Sequence, residues 1–237
     1  MKADDKILSI IPARAGSQQL PHKNILPFHG KPLLAWSIEA ALAAQVADAV
    51  VVSTDSEHYA KVAREYGAEV PFLRPATLAG HEAGLISALR YTVEQLAQQG
   101  RHYDWVLCLQ PTSPLRTATH IEQAVRQFRA ITEPKKSLAS VYAIPDKFRW
   151  VLKTSSSGSL QFLDPELANN AAYSRQNNGQ IFMPNGAIFL MSAANLVSQY
   201  TEHTYPFIMD ELSSVDIDTL EDFKRAEQLY LAAQLKA

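Results

Sequence analysis

Three short apolar runs, KILSIIPA, DAVVVSTDS and WVLCLQ, lack the polar alternation of a strand that faces water on one side, and they constrain the fold of this chain more than any other feature. An uninterrupted apolar strand is one covered on both faces. Such strands belong to parallel sheets, whose crossover connections are helices lying over the two faces. The intervening segments supply those helices. Pro32 suits the first turn of LLAWSIEAALAA, in which Leu34, Ile38, Ala41 and Leu42 can form a core stripe. Ser56 can cap a second helix that runs to about Tyr66 and ends at Gly67, and Ile86, Leu89, Val93 and Leu96 recur at helical spacing before Gly100. Thr119 and Glu122 fit a capping box for a helix to about Arg129, while VPFLRP, SLASVYAI and NGAIFLM read as further strands. The fold class expected is α/β, with a doubly wound, mostly parallel sheet.

The rhythm breaks near Ile144. From there to Asn185 the chain is polar and dotted with aromatics, and LKTSSSGSLQFL reads as an antiparallel hairpin around Ser157 and Gly158. Residues 1–237 are therefore expected to form a single domain from which residues 145–185 project as a lobe for substrate or dimer contact. Asp218 is well placed to cap a last helix carrying Leu220, Phe223, Leu229 and Tyr230. With 22 Lys and Arg against 24 Asp and Glu, there is no global basic field for nucleic acid or an anionic membrane, so any anion must be held locally. The N-terminus lacks a signal-peptide cleavage site, and LLAWSIEAALAA carries Glu39 and is too short to span a bilayer; a soluble, cytoplasmic protein is expected. The single cysteine, Cys108, sits in an apolar strand and reads as core packing rather than a nucleophile.

The segment IIPARAGSQQLPHKN leaves the carboxyl end of the first strand, the edge at which open α/β sheets bind ligands. Gly16 permits close approach, so amides near Gly16 and Ser17 can converge on an anion, and Arg14 and Lys23 add the charge that a polyphosphate requires. The spacing matches neither G-x-x-x-x-G-K-[ST] nor G-x-G-x-x-G. On residues alone, an ordinary polar connection with two solvated cations stays open. Asp216 and Asp218, two apart in an extended segment, project from one face and together suit one hard cation, for which magnesium is expected; capping by Asp218 is the competing role. QPTSPLR, residues 110–116, is a rigid loop at another strand end, either a binding loop or a structural turn. Arg175 supplies a cation suited to a carboxylate and Phe189 an apolar wall, whereas Asn185 and Gly186 also fit a tight turn.

These motifs together, I11-P-A-R-A-G-S-Q-Q-L-P-H-K-N24, GKPLLAWSIEAAL, VVVSTDSE, RPATLA, LQPTSPLR, SRQ with PNGAIF, and VDIDTLEDF, resemble in order those of the CMP-N-acylneuraminate synthetases. The resemblance covers nearly the whole chain. It implies a nucleotidyltransferase-type fold and transfer of CMP from CTP to the anomeric hydroxyl of an acidic nine-carbon or eight-carbon ulosonic acid, with Mg2+ as cofactor. By the same resemblance, Ala13, Arg14, Ser17, Lys23, Asn24, Arg74 and Ala83 hold the nucleotide, and Gln110, Arg175 and Phe189 the sugar acid. Asp216 and Asp218 then hold the metal, and these two with Arg14 and Lys23 form the catalytic set. A homodimer is also implied. The chain departs from the family pattern at Gln18, usually Lys, at Phe189, often Tyr, and in L78-A-G-H-E-A-G-L85, which lacks an Asp and small hydroxyls. His81 in that stretch reads as an exposed polar residue. Two alternatives accompany this reading: the same reaction on legionaminic, pseudaminic or another ulosonic acid, and a nucleotide- or sugar-binding paralogue without turnover.

Overall fold

The computed structural model describes residues 4–17, 19–78, 84–163 and 179–235. In chain order its strands are β1 (Ile7–Pro12), β2 (Pro27–Phe28), β3 (Lys31–Pro32), β4 (Ala49–Ser53), β5 (Trp105–Cys108), β6 (Ser137–Ala143), β7 (Leu152–Thr154), β8 (Leu160–Phe162), β9 (Phe182–Ser192) and β10 (Thr204–Ile208). Its helices are α1 (Leu33–Ala44), α2 (Glu57–Glu65), α3 (Leu85–Gln98), α4 (Ala118–Ala130) and α5 (Leu220–Gln234). Six strands pair in the order β10-β6-β9-β5-β1-β4. β1 is parallel to β4 and β5, and β10 to β6, whereas β9 runs antiparallel to both of its neighbours. The sheet is thus mostly parallel with one reversed strand, in a mixed α/β fold.

The two-sided burial inferred from the apolar runs has a direct structural basis. Ile7 and Ile11 of β1 join Val50, Val52 and Leu107 beneath α1, α2 and α4, which contribute Ile38, Tyr59 and Phe128. The intervening Leu8 and Ile10 join Val51, Val106 and Cys108 on the opposite face, against Leu89 and Leu96 of α3. A period of two with both phases apolar is the sequence signature of such a strand. A third cluster packs α5 against the sheet edge: Phe28 meets Trp36, Phe223 and Tyr230 edge to face at ring-centroid distances of 5.6, 5.7 and 5.9 Å. Ile217, fully buried in that cluster, pins the segment between Val215 and Asp218.

Several local expectations change. VPFLRP forms no strand; Pro71 and Pro75 carry no N–H, and pairing stops at a single bridge between Val51 and Glu69. α4 is capped by Thr117, not Thr119: Thr117 Oγ1 accepts the His120 N–H at 3.3 Å and His120 Nδ1 accepts the Thr117 N–H at 3.2 Å, so an imidazole fills the place usually held by Glu or Gln. Pro32 precedes α1 as its N-cap, and Leu42 and Leu220 lie exposed on their helices. NGAIFLM is a strand, but it runs antiparallel within β9, and the edge strand β10 carries no signal beyond TYPFI, interrupted by Pro206. The hairpin of β7 and β8 turns at Gly158, with φ +83°. Ser56 caps α2 as expected, its Oγ accepting the Tyr59 N–H.

One defect sits in the middle of β1. Among the described residues, Ser9 Oγ is fully buried with no hydrogen-bond partner. An unsatisfied buried hydroxyl costs about 1–3 kcal/mol. Ser9→Ala is therefore expected to raise the unfolding free energy by about 1 kcal/mol in urea titration; a loss of that size would show that the hydroxyl has a partner in solution.

Candidate active site

The carboxyl ends of β4, β1 and β5 lie side by side, with Pro12 opposite Ser53 and Ile10 opposite Cys108. The loop after β1 is fastened to this edge. The Ala13 N–H donates to Ser53 O and the Ala15 N–H to Asp55 Oδ1, both at 2.9 Å, and Asn24 Nδ2 donates to Arg14 O at 3.0 Å. Asn24 is buried, so this amide serves the loop from beneath. Lys23 Nζ reaches across to donate to Ile217 O and Asp218 Oδ1, each at 2.8 Å. The result is a polar cavity of about 370 Å³ that gathers Arg14, Ser17, Lys23, Asn24, Gln110, Asp216 and Asp218. A second cavity of about 230 Å³ shares Arg14 and Gln110 and adds Arg74, Leu78, Gly84 and Leu85. Ala13 is buried in the core and lines neither cavity.

Asp218 does not cap the last helix. That position belongs to Thr219, whose N–H is accepted by Asp222 Oδ2 at 2.8 Å while its own Oγ1 accepts the Asp222 N–H at 3.2 Å. The Asp218 carboxylate is thereby left to the cavity. Asp216 opens onto the same cleft, but the protein packed around it desolvates the carboxylate and raises its pKa; Asp218 and Asp222 push the same way. The neighbouring Thr112 hydroxyl, though not in hydrogen-bond geometry, and Lys23 oppose the shift. Gly186, with φ +69°, closes the back of the site: a Cβ there would lie 3.0 Å from Gln110 Nε2 and 3.7 Å from Asp216 Oδ2. Behind Gly186, Asn185 is locked in a buried network, donating to Ser214 Oγ at 2.8 Å and accepting from Ser140 Oγ at 2.5 Å.

Other expectations need correction. Phe189 is 1% exposed, pairs in register with Cys108, and meets Tyr200 edge to face at 5.7 Å; strand alternation turns it into the core rather than toward the cavity. An open nest of amides at Gly16 and Ser17 is not present, because the Ser17 N–H folds back onto Ala15 O at 3.0 Å and the Ala15 N–H is taken by Asp55. Gly16 has no positive φ, and a Cβ there would meet nothing within 4 Å. Arg116 is a staple: its Nη1 donates to Gln110 O and Ala187 O at 3.2 and 2.9 Å, and its Nη2 to Ser37 Oγ at 2.6 Å. Burial lowers its pKa to about 10 and pushes the Cys108 thiol up to about 12, so neither group is poised for chemistry. Ala83, Arg175, Gln18 and His81 lie outside the described residues. The motif reading missed Gln19 and Thr112, which line the cavity, and Asp55; an acid one residue beyond Thr54, at the same strand edge, was the available signal.

No histidine or cysteine lines the larger cavity among the described residues. Two cations facing two carboxylates across a polar cleft suit a reaction run by charge placement, as in the nucleotidyltransferases. Comparison with known proteins narrows that class. Residues 8–236 match the family model described as Cytidylyltransferase, and the chain belongs to that family. It is 39% identical over 229 residues to a CMP-N,N'-diacetyllegionaminic acid synthase of Legionella pneumophila, covering 94% of this chain and 96% of the relative. It is 36% identical to an N-acylneuraminate cytidylyltransferase of Escherichia coli, over 93% of this chain but 51% of that longer protein. A pseudaminic acid cytidylyltransferase of Campylobacter jejuni is 31% identical over 95% of this chain and 96% of the relative. The solved structure of a CMP:2-keto-3-deoxy-manno-octonic acid synthetase complexed with CTP superposes with a TM-score of 0.72 over 97% of this chain and all 100% of its own; at 17% identity this is a likeness of fold.

The raised pKa of Asp216 carries a stability consequence. A carboxyl that binds its proton more tightly folded than unfolded makes stability fall as pH rises from the unfolded to the folded pKa. Asp216→Asn is therefore expected to raise Tm at pH 7 in metal-free buffer, with the gain vanishing below the ordinary carboxylate range. Equal Tm for variant and wild type across that titration would contradict the desolvated state of this carboxyl.

Proposed function

We propose that the protein transfers CMP from CTP to the anomeric hydroxyl of a sialic-acid-like ulosonic acid, releasing pyrophosphate. The observation that carries this reading is the convergence of Arg14, Lys23, Asp216 and Asp218 on one cavity in a cytidylyltransferase-family chain. The relatives compared above are named for legionaminic, N-acylneuraminic and pseudaminic acid. In this reaction the anomeric oxygen forms a bond to the α-phosphorus and gives up its hydroxyl proton to solvent, the bond from that phosphorus to the β-phosphate bridging oxygen breaks, and the electron pair leaves with pyrophosphate.

Each residue has a part that its position supports. Arg14 and Lys23 offset the triphosphate charge, Arg14 as a planar fork and Lys23 as a point charge. Arg74, Leu78 and Leu85 line the smaller cavity, which suits the cytosine and ribose. Gln110, shared between the two cavities and backed by Gly186, orients the acceptor. Asp216 and Asp218 offer oxygen ligands from one extended segment and fit magnesium, which when bound would offset phosphate charge and acidify the attacking hydroxyl. Lys23 neutralises Asp218 across 2.8 Å in this structure, so use of Lys23 on phosphate and of Asp218 as a ligand both require that pair to part. A binding-only role is not favoured, because the charged residues needed for transfer stand together.

Two further parts of the reading concern assembly and location. The β7–β8 hairpin and the turn before it leave Phe148, Trp150, Leu152, Leu160 and Leu163 exposed, an apolar surface suited to a second copy of the chain. A homodimer formed through this lobe is part of the proposal, and Trp150→Asp should shift sedimentation from dimer to monomer. No helix among the described residues is long and apolar enough to cross a membrane, and the CTP requirement suits the cytoplasm.

The reaction is tested by pyrophosphate release with CTP, magnesium and a panel of nine-carbon and eight-carbon ulosonic acids. Release is expected with at least one acid, together with a loss of about 100-fold or more for Asp216→Asn. Silence across the panel from folded protein would refute the assignment.

A further inference from the structure

We propose that Asp55 is a positioning residue of the nucleotide site: it fixes the loop after β1, which bears Arg14, through the Ala15 amide, and it places a negative charge at the hub that ties this loop and the loop bearing Arg74 to β4 before nucleotide arrives. This inference rests on the nucleotide reading above and assigns a role to a residue that touches neither reacting atom.

The segment from Ser53 to Ser56 is a hub between the two walls of the site. Ser53 O accepts the Ala13 N–H at 2.9 Å, and Asp55 Oδ1 accepts the Ala15 N–H at the same distance. On the other side, Thr54 O accepts the Arg74 N–H at 2.7 Å. The hub itself is packed and tied: Ser53 and Thr54 are buried, and the Ser56 N–H donates to Thr54 Oγ1 at 3.2 Å. Asp55 thus lies where the loop bearing Arg14 and the loop bearing Arg74 are both tied to β4.

Arg14 and Arg74 line the same cavity and carry like charge. Arg74 is 6% exposed, and its Nε is buried without a hydrogen-bond partner. Burial first, and Arg14 in addition, disfavour its charged form, whereas Asp55 favours it. The carboxylate of Asp55 thus offsets part of the cost of holding the buried Arg74 charged. Yet a carboxylate here repels a triphosphate, so attraction for the nucleotide does not account for an acid at this position. Its value lies in preorganisation: the charge and the loop are arranged during folding rather than at binding.

Two substitutions separate the parts of this role. Asp55→Asn keeps an oxygen that can accept the Ala15 N–H but removes the charge, whereas Asp55→Ala removes both. Titration calorimetry with CTP is expected to show about tenfold or weaker binding for Asp55→Ala and a smaller loss for Asp55→Asn. KM for CTP should rise in parallel while kcat stays within about threefold of wild type, as expected when positioning before the reaction is lost. CTP affinity equal to or tighter than wild type in a folded Asp55→Ala protein would overturn the proposal, as would a lowered Tm with unchanged affinity. Amide exchange read by NMR tests the same assignment without nucleotide. The Ala15 amide should exchange about tenfold faster or more in Asp55→Ala than in wild type, and unchanged protection would overturn the anchoring role. If wild type itself fails to bind CTP, the nucleotide reading falls, and the exchange measurement still decides whether Asp55 holds the loop.

Discussion

β1, β4 and β5 surrender both of their faces to apolar packing, and the placement of the polar groups at the sheet edge of the site follows from that. A strand buried on two sides has nowhere to carry a polar side chain except at its ends. Arg14, Asp55 and Gln110 accordingly appear just beyond three strand ends that lie in register. Ser9 breaks the rule inside β1 and is left without a partner. Arg116, buried in the loop between β5 and α4, directs its Nη atoms at the Gln110 and Ala187 carbonyls and at Ser37, while its Nε is left without a partner. A rigid fork with several donors suits such a place, because its bonds fall on two backbone carbonyls and a buried hydroxyl.

The site is built from charges that restrain one another. Lys23 holds Asp218, Asp55 favours the charge of Arg74, and burial opposes the charges of both Arg74 and Asp216. A cleft of this kind, holding charges of both signs, costs stability to maintain. Gly186 shows how little slack exists, since a single methyl group at that position would press on Gln110 and approach Asp216.

Much of this was legible in the chain. The apolar runs foretold the buried strands, and the D-x-D spacing and the cations of the first loop foretold residues that do share a cavity. The caps of α4 and α5, unlike that of α2, differ from expectation by one or two residues, because capping rules allow only Glu or Gln to reach back, whereas His120 and Asp222 do so here. Phe189 was misjudged because its motif neighbours lie at the site, while strand alternation sends its ring to the opposite side. Asp55 escaped notice because its significance depends on Ala15, forty residues away, and on Arg74.

Local pattern was therefore enough for element type, for the two-sided sheet and for the list of charged residues at strand ends, since these depend on periodicity and on chemistry carried within a few positions. Which charge faces which was settled by folding: Lys23 meets Asp218 across 195 residues, and Ile217 bonds the Thr112 carbonyl from the far end of the chain. Pairings of that kind depend on strand order and loop path. No window of sequence contains them, because the free energy that selects them comes from packing the whole core at once.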